Sequence, residues 1–117
     1  MAATTLTELA NEIIADLFIC GRTFFSAYPT NTEISLGYIK HKLETKLIEL
    51  QDRTGLWGIL NDLRLDLEGF ILTGNVNYDQ LAFADVLKKF EKKAMERPYF
   101  SSLNITKLHE IIKELKN

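Results

Sequence analysis

The sequence predicts an all-α fold, a single bundle of about five helices spanning residues 1–117. Three observations carry that reading. Apolar residues recur at spacings of three and four through five segments, which is the mark of helices with one face turned to a core. Capping and helix-breaking residues fall between those segments and leave only short connectors. The chain's 117 residues, 46% of them apolar and 26% charged, match an ordinary globular domain that can bury a core without metal or disulfide.

The first helix opens at Thr5, which forms a capping-box pattern with Glu8, and closes at Pro29. Its stripe is Leu6, Leu9, Ala10, Ile13, Ile14, Leu17, Cys20, Gly21, Phe24, Phe25 and Tyr28. Cys20 and Gly21 are the narrowest point of that stripe, where a second helix can cross closely. A glycine within a helix costs roughly 1 kcal/mol relative to alanine, so packing is expected to offset it.

The second helix is predicted from the capping pattern Thr30 to Glu33 as far as Thr54, with Gly55 as the residue that stops it. Leu36, Ile39, Leu43, Leu47 and Leu50 form its stripe. Its outer face of Lys40, Lys42, Glu44, Lys46, Glu49 and Arg53 reads as solvated, with Lys40–Glu44 and Glu49–Arg53 placed to pair. The third segment is ambiguous over a short window, because LRLDLE alternates as a half-buried strand does. The wider set Leu56, Ile59, Leu60, Leu63, Leu67, Phe70 and Ile71 fits the helical period, and leucine is poor strand material, so helix is predicted over Leu56–Leu72.

Thr73, Gly74 and Asn75 read as a turn, and Asn77 with Gln80 as the cap of a fourth helix that runs to about Arg97 before Pro98. Phe83, Val86, Leu87, Phe90 and Ala94 are its inner face. A connector, Pro98 to Leu103, leads to a last helix with the stripe Ile105, Leu108, Ile112 and Leu115.

Candidate chemistry is sparse. The patterns GxGxxG, GxxxxGK and GxSxG are absent. Cys20, the only cysteine, lies on the apolar stripe with no histidine near it in sequence, and reads as a buried, inert thiol. Asp62 and Asp66 are four residues apart and offer oxygens to a hard cation, but no further ligand set accompanies them. They read instead as a solvated face, with Arg64 pairing to Glu68. His41 and His109 are each single, with no nucleophile at motif spacing. No catalytic residue, cofactor or metal ligand is therefore assigned, and a non-enzymatic protein is expected.

The most distinctive polar feature is the basic edge Lys88, Lys89, Lys92, Lys93 and Arg97, followed by Tyr99 and Phe100. Residues 1–85 hold 12 acidic and 6 basic side chains, whereas residues 86–117 hold 4 acidic and 8 basic, so the edge belongs to a basic tail on an acidic body. Cations near a helix C-terminus stabilise it through the helix dipole. The functional reading is contact with an acidic protein surface, Tyr99 and Phe100 adding aromatic area. The function this implies is a protein–protein interaction module, such as an adaptor, assembly factor or inhibitor, with self-association open. The competing reading is nucleic-acid binding through Lys88 to Arg97. No run of about 18 uncharged apolar residues is present to span a membrane. The N-terminus lacks the basic lead of a secretory signal, and the single cysteine suits a reducing setting, so a cytoplasmic protein is expected.

Overall fold

A computed structural model describes residues 5–50, 53–96 and 102–117. The described residues form five helices: α1 (Leu6–Ser26), α2 (Thr30–Glu49), α3 (Gly55–Glu68), α4 (Val76–Met95) and α5 (Ile105–Lys116). The described residues contain no strand. The ambiguous LRLDLE segment is the last turn and a half of α3, with Leu63 and Leu67 buried and Leu65 half exposed.

Each helix packs against its neighbour in sequence, and α5 also returns to close the ring on α1. The α1 helix also touches α3 and α4. This follows from its sequence, because its apolar stripe is wide enough to bury nine residues, from Leu6 to Phe24. Thr5 caps α1 as predicted, its hydroxyl oxygen accepting from the Glu8 N–H at 3.1 Å. Phe25 leaves the predicted stripe and is 53% exposed.

Gly21 sits where α5 crosses α1. A Cβ built there would lie 2.7 Å from Ile111 Cδ1 and closer still to Cγ1. Ile111 is fully buried, although the predicted stripe of the last helix passed over it. The glycine is thus the closest point of an α1–α5 crossing, which is the packing return expected for its cost in helix propensity.

Several boundaries differ from expectation, each through a tertiary contact. The α2 helix ends at Glu49, and Gly55 opens α3 rather than stopping α2. A helix leaves its last carbonyls without partners, and here the Trp57 indole N–H from α3 donates to the Leu47 carbonyl at 3.0 Å. At its start α2 has no side-chain cap, and Thr30 is its first residue. Thr32 points inward and shares a 2.7 Å hydrogen bond with Thr23, which itself donates to the Cys20 carbonyl at 2.6 Å.

The α3 helix stops at Glu68, short of Leu72, because the chain turns to send Phe70 into the core against Phe83, with ring centroids 5.6 Å apart. Gly74 then adopts φ +96°, a left-handed conformation that suits glycine. The α4 cap is Asn75, not Asn77, accepting from the Tyr78 N–H.

Lys42 corrects the picture of a solvated α2 face. Its ammonium lies 3.0 Å from Asp16 and 3.2 Å from Glu12 of α1, with only 15% of the side chain exposed. Burial alone would lower its pKa, but the carboxylates and Tyr38 outweigh that and hold the group above the ordinary lysine range. The expected pairs Lys40–Glu44 and Glu49–Arg53 do not form. Lys46 meets Glu49 at 3.7 Å, and Arg53 lies over the Trp57 ring, 4.2 Å from its centroid.

Candidate interaction surface

The α4 helix buries Asp79, Phe83, Ala84, Leu87, Phe90 and Ala94, so its orientation in the bundle is fixed by that face. The opposite side is a seam at spacings of three and four that carries Tyr78, Leu81, Asp85, Lys88, Lys92 and Met95, with Asp85 3.6 Å from Lys116 of α5. Tyr78, Leu81 and Met95 are 64%, 50% and 52% exposed. Lys88 and Lys92 therefore sit between apolar side chains on an outward helical face, and the seam's carboxylate, Asp85, is held by Lys116.

The predicted basic edge divides into two. Lys89 reaches Asp66 at 3.3 Å and Lys93 reaches Asp62 at 3.0 Å, so these two lysines tie α4 to α3. The same contacts account for the aspartate pair that had the spacing of a cation site, and Arg64 pairs with Glu68 at 2.9 Å as expected. Lys88 and Lys92 are exposed and form no ion pair among the described residues. Arg97, Tyr99 and Phe100 lie outside the described residues.

The remaining candidates are structural. Burial pushes the Cys20 thiol up to about 11, against a smaller opposing effect of a hydrogen bond with Ser35. A thiol so raised is almost wholly protonated at neutral pH. In the native protein Cys20 is expected to resist a disulfide-exchange reagent that titrates it readily after unfolding. Fast reaction under native conditions would contradict the packing role. His109 meets Glu91 of α4 at 3.1 Å, and His41 is exposed. No group of three or more metal-ligating side chains occurs among the described residues.

One polar centre escapes the sequence reading altogether. The Asp79 carboxylate is fully buried and accepts from the Thr73 N–H at 2.9 Å, the Thr73 hydroxyl at 2.7 Å and the Gly74 N–H at 3.3 Å, and also from the Tyr28 hydroxyl. Burial alone would raise its pKa, but these donors outweigh that and hold it below the ordinary aspartate range. Burial and the adjacent carboxylate keep the Tyr28 hydroxyl protonated above its ordinary range. With its oxygens engaged by four donors, Asp79 joins the α1–α2 and α3–α4 connections to the start of α4. Its only signal in the sequence is its place shortly after the Thr73–Asn75 turn.

Comparison with protein-family models, curated proteins and solved structures finds no match to this chain. No helix among the described residues is long and apolar enough to cross a membrane.

Proposed function

We propose that this protein is a non-enzymatic interaction module that works in the cytoplasm as an adaptor, assembly factor or inhibitor and holds an acidic protein partner along the outer seam of α4. The observation that carries the reading is the placement of Lys88 and Lys92, which form no ion pair among the described residues, between exposed Tyr78 and Leu81 at one end and Met95 at the other, the carboxylate of the same face, Asp85, being engaged by Lys116. Interfaces draw their energy from aromatic and apolar anchors, while surface charge steers encounter and selects partners. An amphipathic partner helix with apolar residues at its ends and acids opposite Lys88 and Lys92 fits this seam. Asp62 and Asp66 lie beside the paired lysines and reduce the attraction for a phosphate backbone, which supports a protein partner over a nucleic acid.

The experiment reverses charge in two separate pairs. Lys88→Glu with Lys92→Glu is expected to lose capture of the partner, identified by mass spectrometry, while melting falls only slightly, through the loss of Lys92 from the last turn of α4. Lys89→Glu with Lys93→Glu places new acids against Asp66 and Asp62 and is expected to lower melting. Capture unaffected by the first pair would refute the seam. Retention on nucleic acid that falls steeply with salt would give the site to the competing reading.

A further inference from the structure

A second exposed face, separate from the α4 seam, surrounds Gly37 in the middle of α2. A Cβ at Gly37 would meet no atom within 4 Å, so nothing within the fold requires glycine there and the helix would gain from a larger residue. Ile34 and Tyr38 beside it are 67% and 57% exposed, and Ile71, on the stretch between α3 and α4, is 77% exposed. Glu33, Gly37 and Lys40 form one wall of a shallow groove whose other wall includes Phe70 and Ile71.

We propose that this groove is the two-fold interface of a homodimer, in which Ile71 of each copy lies on the bare helix at Gly37 of the other and Glu33 of each faces Lys40 of the other. An isologous contact needs a patch that carries both halves of every interaction. Both halves are here. A projecting isoleucine stands beside an uncovered stretch of helix, and a carboxylate one turn before Gly37 is balanced by an ammonium one turn after it. Rotation about an axis near Gly37 reverses α2 and brings Glu33 opposite Lys40 twice. Within one chain these residues are seven apart, roughly 10 Å along the helix, which is too far to pair. A partner carrying one sign of charge would be attracted at one end of the groove and repelled at the other, whereas a second copy satisfies both ends. That complementarity selects the occupant.

Sedimentation equilibrium from micromolar to near-millimolar protein tests the proposal, with circular dichroism confirming that each variant is folded. The wild type is expected to pass from monomer to dimer. Ile71→Glu is expected to weaken the dimer at least about tenfold by removing an apolar anchor. Glu33→Lys and Lys40→Glu should each weaken it, and their combination should restore most of the affinity, an outcome that requires the cross-copy pair. Gly37→Leu should raise melting of the monomer while abolishing the dimer. A wild type that stays monomeric throughout, or a dimer indifferent to Ile71→Glu and Gly37→Leu, would overturn the assignment. These variants leave the α4 seam intact, so their outcome is independent of partner capture there.

Discussion

Asp79→Ala is expected to destabilise the protein by about 2 to 4 kcal/mol, because it strands donors that converge on a single buried carboxylate. The two Thr73 donors, the Gly74 N–H and the Tyr28 hydroxyl lose their acceptor together. Asp79→Asn keeps one acceptor oxygen but sets an amide against donors, and should recover only part of the loss. The pH dependence has a fixed sign. A carboxyl whose folded pKa is depressed contributes stability above its unfolded value of about 4, and that contribution is lost as pH falls through the folded value. Urea titrations at neutral and acid pH should therefore show the wild type and Asp79→Ala converging on the acid side. A constant gap between them would show that the charge of Asp79 plays no part.

This centre also shows how far the sequence could be read. Periodicity, with capping residues and the poor strand propensity of leucine, located the five helices of the described residues, because a stripe such as Leu36, Ile39, Leu43 and Leu47 needs no partner to be recognised. Boundaries set by neighbouring elements were hidden. Gly55 carries the signal of a helix stop, yet α2 ends earlier, where Trp57 of the next helix satisfies a carbonyl across the connection. Phe70 continues the helical period but leaves α3 because its ring fits against Phe83. Lys42 looked solvated since Glu12 and Asp16 lie on a different helix, and Lys89 and Lys93 stood out as basic while their aspartate partners, 23 and 31 residues away, did not. Hydrophobic pattern is local information, whereas the pairing of charges is fixed only once the helices have docked.

The largest effect on packing is expected at the α1–α5 crossing. Gly21→Leu should cost about 3 kcal/mol, at the upper end of the range for overpacking a close-packed core. The argument rests on what stands in the way. The first atom of any side chain there already collides with Ile111, and Leu115 Cδ1, 3.6 Å from the same point and in ordinary contact with it, closes that side to the atoms beyond Cβ. Both are fully buried, and Ile111 is β-branched with few rotamers to escape into. Even Gly21→Ala, which would gain roughly 1 kcal/mol of helix propensity in isolation, is expected to be a net loss here. The diagnostic measurement is a double-mutant cycle. Ile111→Ala alone should cost about 2 to 5 kcal/mol through the cavity it opens. Combined with Gly21→Ala, the total should fall clearly below the sum of the two single effects, because the new methyl group enters the space that Ile111 vacates. Strict additivity in denaturant unfolding would mean that the two helices do not meet at Gly21, and the α1–α5 packing would then have to be redrawn.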